Sequence, residues 1–439
     1  MGPSRYLMPD VFEQFFASFG KRREDYLTIE KLLPSYRVFF TGKNRSMIDV
    51  YDELERNRDV FEVIEPWCME VLKTYLAQAK YQYEVAMKEF VPKNYDSFLD
   101  FFNRRMAIEG VRLHVFEKME KYVKRYFKTP KMQQIMQYPL VFLGTAPKDA
   151  PALYNIMSYV DFGMGVWYPE GGIYAIVQSL VRLGHEYGVT YHTDSEVTRI
   201  VVENGTTTGV ELSGGEVISA DRVISNADYH RTETQLLEPK RQTYPASYRK
   251  KRTMAPSGFI AYLGIKGRMQ SLQHHTLLFS DDRNKNFGEI FDLKQPPSDP
   301  SLYICCPSKT DPTVAPEGDE NMFILVPFPP DVILSDDEQQ QYKKKIYTLI
   351  EQEIGETFQE RIVEEQLFTT QDFTDRYHAY QGSALGLAHT LRQTSVMRPN
   401  TISKKVNNLL YAGGYTNPGI GMPMCLISGK LAFERIQKQ

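Results

Sequence analysis

The sequence predicts an α/β protein with mixed sheets (α+β), in which a layered helix-and-sheet domain is joined to a mixed-sheet domain and a helical subdomain. Three stretches indicate this: a strand, glycine-rich loop and helix in the last 30 residues, a helix and antiparallel meander at 171–235, and a helical stretch at about 67–127. At roughly 150 residues per domain, the 439 residues correspond to two or three domains.

The composition is that of a globular protein with an unusual aromatic content. Hydrophobic residues make up 42% and charged residues 24%, and there are 28 Tyr and 25 Phe against 2 Trp. So many aromatic rings are expected in a core or an apolar pocket. The formal net charge of −3 argues against nucleic acid as a partner. Because no apolar run reaches 18 residues, a transmembrane helix is not expected.

The four cysteines indicate a reducing compartment. Cys68, Cys305, Cys306 and Cys425 form no C-x-x-C pair and no disulfide framework, and no metal site is expected. No secretory signal is visible, so a cytoplasmic location is expected. The adjacent Cys305 and Cys306 could perform redox chemistry, but small apolar residues within a strand are the favoured interpretation.

In the first third of the chain, the pattern predicts a strand at 35–40, a helix at 49–57 and helical structure through 67–127. Within the last stretch, an apolar stripe runs along Phe116, Met119, Val123 and Tyr126. From 93 to 132 there are ten basic and five acidic residues. A basic amphipathic helix can lie on an anionic membrane, and the alternative is a solvated helix that packs its stripe on a core.

The middle of the chain is the clearest. Gly171 and Gly172 open a helix that ends at Gly188, a common C′ residue. Further strands are predicted at 189–191, 197–202, 208–212, 216–219 and 223–225, with a hairpin turn signal at Asn204-Gly205. The next segment predicts core strands at 259–265, 302–306 and 322–326, and a helix at 336–354.

The C-terminal strand, loop and helix form the most specific motif. Gly413, Gly414, Gly419 and Gly421 remove side chains where the backbone would approach a flat ligand. The helix that starts near Met422, with Pro423 in its first turn, directs its positive end at the loop, where an anionic or electron-accepting group would be stabilised. A reduced flavin fits this description, and the alternative is a glycine-rich turn without a ligand.

The chain resembles the carotenoid desaturases, the phytoene-desaturase type of FAD-dependent oxidoreductase. The matching segments occur in the family's order at 2–9, 168–174, 220–229, 263–264, 274–276, 303–315, 382–393 and 411–429. Each segment alone is weakly specific, and together they cover the chain from end to end. The resemblance implies an FAD-binding Rossmann-like domain with an antiparallel meander, a mixed-sheet substrate domain and a helical, membrane-facing subdomain.

One family feature is missing from the sequence. The family begins with a strand, a G-x-G-x-x-G turn and a helix that hold the adenosine diphosphate of FAD, and no G-x-G-x-x-G occurs here. The sequence is therefore expected to lack one βαβ unit at its N-terminus. On that expectation, the alternative to an active enzyme is a non-catalytic, lipid-binding remnant.

The resemblance implies cofactor-binding residues in four segments. Gly2, Pro3 and Ser4 match a loop that passes near the flavin, and Val197 matches a valine whose backbone meets the adenine. Asn226 and Ala227 match the strand end beside the pyrophosphate. The loop and helix start under the isoalloxazine ring correspond to Gly413, Gly414, Thr416, Gly419, Gly421, Met422 and Pro423. Because an acidic residue is absent after Gly414, a bond to the ribityl chain would need the Thr416 hydroxyl or backbone.

The resemblance also implies the reaction. A carotenoid desaturase passes a hydride from an allylic carbon to flavin and loses a proton from the neighbouring carbon. Phytoene or a related polyene is the expected substrate, and the sequence leaves open whether a quinone or oxygen is the final electron acceptor. Related enzymes that isomerise or saturate polyenes are the alternatives. No acid–base residue stands out from the sequence; His274 and His275 are weak candidates, and a structural role is favoured for both.

A bilayer-dwelling substrate also implies peripheral membrane association. The docking face is expected at the helical subdomain, through Arg104, Arg105, Phe116, Lys118, Lys121, Lys124 and Arg125. The expected domain organisation divides the chain into 1–60 (parts of both main domains), 61–150 (helical lid or docking subdomain), 151–235 (FAD domain with meander), 236–395 (substrate domain) and 396–439 (flavin loop and helix).

Overall fold

The computed structural model describes residues 4–95, 110 and 112–438. Helices and sheets both contribute to it, so the predicted α/β class is confirmed. Its described α-helices are Pro9–Ala17, Arg58–Ile64, Cys68–Glu89, Met119–Tyr126, Pro130–Gln137, Ile156–Tyr159, Tyr174–Glu186, Tyr229–Gln235, Ala246–Lys250, Arg283–Phe287, Asp336–Ile354, Thr370–Tyr377 and Met422–Gln437. Among the described residues, no helix is both long and apolar enough to cross a membrane.

The strands form a large mixed sheet and three small ones. Their bounds are β1 Ile29–Lys31, β2 Tyr36–Phe40, β3 Ser46–Val50, β4 Trp167–Pro169, β5 Val197–Glu203, β6 Thr206–Leu212, β7 Val217–Ser219, β8 Val223–Ser225, β9 Ser257–Ile265, β10 His275–Phe279, β11 Leu302–Cys305, β12 Glu320–Phe328, β13 Ile362–Phe368 and β14 Leu409–Tyr411. The large sheet has the order β13-β9-β12-β11-β10-β2-β3. All its pairs are antiparallel except β10 with β2.

The large sheet buries both of its faces. One face packs against the Asp336–Ile354 helix through residues such as Ile304 and Ile346. The other face packs against the helices between residues 58 and 137. Because side chains alternate along a strand, Cys305 faces the helices between 58 and 137 and Cys306 faces the Asp336–Ile354 helix. Both thiols are buried and free, as expected for apolar strand residues.

A smaller unit joins distant parts of the chain. The meander β5-β6-β7 is antiparallel, whereas β8 pairs in parallel with β14, so residues 223–225 lie beside 409–411. Two large apolar side chains on these strands, Val217 and Ile224, are exposed. The carboxyl ends of β8 and β14 lie at the same edge, the usual place for a ligand in an open parallel sheet.

The predicted helix at 49–57 is wrong. Residues 46–50 form β3, which pairs antiparallel with β2, and only Leu54–Asn57 adopts a 3₁₀ turn. The side-chain amide of Asn57 bonds both backbone groups of Tyr51 and closes the bend after β3. The hairpin partner β2 thus overrides the weak local helical pattern.

Two further predictions also need correction. Residues 189–191 are not a strand, because no described strand pairs with them, and Val189 and Tyr191 are exposed. The helical stretch at 67–127 is not continuous, because the Cys68–Glu89 helix ends at Phe90. The next long described helix begins only at Met119, so Phe116 lies outside it.

Candidate functional site

The main feature of the molecule is a cavity of about 1260 Å³. One wall is the face of the large sheet, with Ile260, Leu277 and Tyr303, and another comes from the Cys68–Glu89 helix. The start of the C-terminal helix closes a third side through Gly421, Met422 and Pro423. Most of the described side chains that line it are aliphatic or aromatic, so the cavity suits a long apolar ligand.

The cavity reaches the surface beside the helical subdomain. Phe116 lines it and is 79% exposed. Met87, Phe90 and Val91 line it nearby, at the end of the Cys68–Glu89 helix. With an exposed aromatic residue at its rim, an apolar cavity can admit an apolar ligand that does not have to cross a polar surface.

The glycine-rich loop follows the carboxyl end of β14, next to the end of β8. Gly413 has a φ of +106°, and a Cβ there would lie 2.4 Å from the Asn226 amide nitrogen. That amide donates to the Ala412 carbonyl at 3.0 Å. Only glycine fits between the two strand ends. Asn226 and Ala227, both exposed, remain at this edge with the loop.

Thr416 has a structural role in the loop. Its buried hydroxyl donates to the Gly413 carbonyl at 3.0 Å and lies 2.9 Å from the Ser428 hydroxyl. Ser428 also accepts from the Gly413 N–H at 2.9 Å. The Thr416 hydroxyl thus holds the loop together, and the expected bond from its hydroxyl or backbone to a ribityl chain stays a prediction.

The second half of the loop rests on a buried histidine. The Ile420 N–H donates to His389 Nε2 at 3.3 Å, so the proton of the neutral ring is on Nδ1, 2.6 Å from the Tyr154 hydroxyl. Gly419 has a φ of +125°, and a Cβ there would lie 2.4 Å from the imidazole. Burial lowers the pKa of His389 well below its usual range. The ring is therefore a neutral support for the loop.

Arg398 holds the loop from behind and was missed by the sequence analysis. It is buried, and its guanidinium donates to the carbonyls of Gly414, Tyr415 and Thr416, and also to Gln393 and Leu387. Burial lowers its pKa to about 10. No local pattern marks an arginine that binds only carbonyls, since its partners become neighbours only after folding.

The structure brings some of the expected cofactor residues together. Ser4, Gly421, Met422 and Pro423 line the cavity. Gly413, Gly414, Thr416 and Gly419 shape the loop behind that wall. Val197 begins β5, is partly buried against the core of the smaller unit and is not among the residues that line the cavity. Gly2 and Pro3 lie outside the described residues.

The two candidate histidines lie behind the cavity wall and not on it. His274 Nδ1 is 2.7 Å from the Thr310 hydroxyl, and His275 Nδ1 is 2.7 Å from the Tyr303 hydroxyl. Burial lowers the pKa of both, to about 3 for His274. One atom of each imidazole and the Cys305 sulfur lie within 4.8 Å of one another. The catalytic role of the two histidines stays a prediction. The hydrogen bond between His275 and Tyr303 connects the pair to the cavity, which Tyr303 lines.

Four of the expected docking residues follow Phe116 closely in the chain. Lys118 precedes the Met119–Tyr126 helix, and Lys121, Lys124 and Arg125 lie within it. Lys124 pairs with Glu120 at 2.7 Å and Arg125 with Glu117 at 2.5 Å. Met119 and Val123 from the predicted stripe are buried, whereas Phe116 is exposed. Arg104 and Arg105 lie outside the described residues.

The loop and helix start fit the flavin end of FAD. Positive-φ glycines keep side chains off the loop, and the 16-residue helix Met422–Gln437 begins with no side-chain cap from the described residues. Its first N–H groups and positive end suit an anionic or electron-rich ring edge. Gly421, Met422 and Pro423 would hold the isoalloxazine, and Asn226 and Ala227 would lie toward the phosphates. Bound there, FAD supplies a two-electron acceptor.

Comparison with known proteins identifies relatives along the whole chain. The family model "Flavin containing amine oxidoreductase" matches residues 18–437. The carotenoid 3,4-desaturase of Haloarcula japonica is 45% identical over 437 residues, 99% of this chain and 88% of that protein. The zeta-carotene-forming phytoene desaturase of Myxococcus xanthus is 34% identical over 439 residues, 99% of this chain and 84% of that protein.

Solved structures share the fold at low identity. A putrescine oxidase double mutant has a TM-score of 0.60 at 9% identity, over 99% of this chain and 88% of that one. A putative protoporphyrinogen oxidase from Exiguobacterium sp. 255-15 has a TM-score of 0.58 at 12% identity, over 100% and 87%. The chain therefore belongs to the flavin-containing amine oxidoreductase family, among its carotenoid desaturases, FAD-dependent oxidoreductases that act on CH–CH groups.

Proposed function

We propose that this protein uses FAD to desaturate a long carotenoid precursor such as phytoene. The observation that carries the proposal is the cavity, which joins an apolar rim at Phe116 to the flavin loop at Gly421–Pro423. A polyene has almost no polar atoms, so burying it in such a cavity is favourable by the hydrophobic effect alone. One end of the cavity would bring an allylic carbon to the flavin, and its walls would keep out water.

The direct test is turnover by the purified protein loaded with FAD. Phytoene and more desaturated polyenes are supplied in liposomes without oxygen, with a quinone as electron acceptor, and oxygen replaces the quinone in a parallel series. The proposal expects products whose absorption moves to longer wavelength, because each new double bond extends the conjugation. The same protein without FAD is the control.

Product spectra also separate the alternatives. Isomerisation leaves the number of double bonds unchanged, and saturation lowers it. Binding of polyene without chemistry in any arm would favour a lipid-binding protein. Each of these three results would contradict the proposed desaturase.

We also propose peripheral membrane docking through the cavity rim. Its support is the position of Phe116, an exposed ring that lines the cavity a few residues before the basic Met119–Tyr126 helix. An apolar anchor combined with basic side chains is the arrangement that binds an anionic bilayer surface. A substrate could then pass from lipid into the cavity without entering water.

A further inference from the structure

A buried carboxylate lies directly behind the cavity wall. Asp161 is 5% exposed, and its Oδ2 accepts hydrogen bonds from two phenols, Tyr36 at 2.8 Å and Tyr138 at 2.9 Å. Tyr138 lines the cavity, whereas Tyr36 is not among its lining residues. A single phenol therefore connects the cavity to a carboxylate that the cavity itself does not touch.

A buried cation fixes this connection. Arg5 donates from Nη1 to the Tyr138 hydroxyl at 3.0 Å. Its guanidinium also lies 5.3 Å from the ring centre of Tyr36, 5.6 Å from that of Tyr138 and 5.4 Å from that of Tyr303. Because Arg5 donates to the Tyr138 oxygen, the Tyr138 proton is directed to Asp161. Arg5 follows Ser4 in the chain, and both line the cavity that Gly421–Pro423 also line.

The proposed reaction needs a proton acceptor. When two neighbouring carbons become a double bond, one hydrogen leaves as hydride with two electrons, and the other must leave as a proton. Among the described residues that line the cavity there is no aspartate or glutamate. His389 lines it, but its Nε2 already accepts the Ile420 N–H. A phenol backed by a carboxylate can take up the proton.

The ionisation behaviour suits that role. Burial raises the pKa of the Asp161 carboxyl above its usual range, while Arg5 and the two phenols oppose the rise. A raised pKa makes this carboxylate a stronger base than an ordinary aspartate. Burial also raises the pKa of Tyr138, so the phenol stays protonated and keeps donating to Asp161.

We propose that Tyr138 and Asp161 are the proton-accepting pair of the desaturation, an inference that rests on the proposed function. As one carbon gives up a hydride, which bound FAD would accept, the C–H bond of the neighbouring carbon would break and its electron pair would form the new double bond. The released proton goes to the Tyr138 oxygen, and the phenol's own proton goes to Asp161 Oδ2. The carboxyl then returns its proton to solvent before the next turnover.

The cavity supplies a matched control. Tyr83 also lines it and also donates to an aspartate, Asp10 Oδ2, at 2.8 Å. Asp10 is only partly buried, whereas Asp161 is buried and accepts from a second phenol, Tyr36. Tyr83→Phe therefore removes a comparable phenol from the same cavity. Tyr36→Phe removes one hydrogen bond from Asp161 without changing the cavity wall.

The test compares Tyr138→Phe, Tyr36→Phe and Tyr83→Phe in the FAD-loaded protein, with polyene binding measured separately by quenching of protein fluorescence. We expect Tyr138→Phe to lower kcat by about 10²-fold or more without weakening polyene binding. Tyr36→Phe should move the acid limb of the pH–rate profile to higher pH, because Asp161 loses a donor to its ionised form. Tyr83→Phe should cost much less than Tyr138→Phe.

An infrared titration gives a second readout that needs no turnover. The stretch of a protonated, buried carboxyl should appear as pH falls, be absent in Asp161→Asn and have a higher midpoint in Tyr36→Phe. Full activity of Tyr138→Phe, or a loss confined to Tyr83→Phe, would overturn the pair while leaving the desaturase intact. A wild-type protein that desaturates no polyene would instead overturn the proposed function, and the pair with it.

Discussion

At the scale of single residues, the glycine-rich loop after β14 depends on one buried cation. Arg398 is the donor that holds the carbonyls of Gly414, Tyr415 and Thr416, and among the described residues no carboxylate forms an ion pair with it. Burying a charge costs several kcal/mol unless hydrogen bonds compensate. Here neutral carbonyls provide that compensation, so the charge and the loop conformation stabilise each other.

We predict that Arg398→Met destabilises the protein and weakens flavin binding. Several buried carbonyls would lose their charged donor, which costs about 2–4 kcal/mol in the free energy of unfolding. Urea unfolding and quenching of flavin fluorescence measure the two effects. Arg398→Lys keeps the charge but loses the planar guanidinium, so its losses of stability and flavin affinity should be intermediate. Equal stability of Arg398→Met and the wild type would contradict the role of Arg398 in holding the loop.

At the scale of elements, agreement between sequence and structure follows local chemistry. The helix predicted at 336–354 has those bounds in the structure, where Ser335 and Glu338 form a capping box and Gly355 ends it with a φ of +70°. The strands on both sides of Asn204-Gly205 were likewise predicted by their turn. The 49–57 and 189–191 predictions failed because strand pairing there is decided by partners elsewhere in the chain.

The rim of the cavity makes membrane docking testable at this scale. We predict that Phe116→Ser lowers binding to vesicles of anionic phospholipid, since it removes the apolar anchor that lines the entrance. Combining it with Lys121→Glu should lower binding further, and added salt should weaken the remaining binding. Cosedimentation measures the bound fraction.

A matched variant controls for the loss of an exposed apolar side chain. Val363 is 64% exposed and lies on β13, the edge strand of the large sheet opposite β3. Val363→Ser should leave vesicle binding unchanged. Equal losses in the two variants would argue against a docking face at the rim.

At the scale of the whole molecule, three buried histidines couple stability to pH. His274, His275 and His389 are buried as neutral rings, and burial lowers the pKa of each. An unfolded histidine has a pKa of about 6.5. Below that pH the unfolded chain binds protons that the folded chain does not bind. The stabilisation from the three neutral rings is therefore complete above about pH 6.5 and is lost as the pH falls toward the folded-state pKa values.

We therefore predict that the free energy of unfolding falls below about pH 6.5, by up to about 4 kcal/mol per pH unit when all three rings take up protons on unfolding. Urea unfolding at a series of pH values measures the slope. His389→Gln should reduce the slope, and His192→Gln, at an exposed ring, controls for the substitution itself. A stability that does not change between pH 6.5 and pH 5 would contradict the prediction.

The sequence by itself determined the α/β class, the meander, the strand–loop–helix at the C-terminus and the family resemblance, because hydrophobic period, turn glycines and helix caps act between near neighbours in the chain. It also marked the glycine-rich loop after β14, since glycines indicate close backbone approach. Only the tertiary structure decided that Arg398 and His389 support that loop, and that His274 and His275 lie behind the cavity wall. The Arg5–Tyr138–Asp161 contact joins residues 133 and 23 positions apart. Such contacts depend on which distant segments pack together, and no local pattern encodes them.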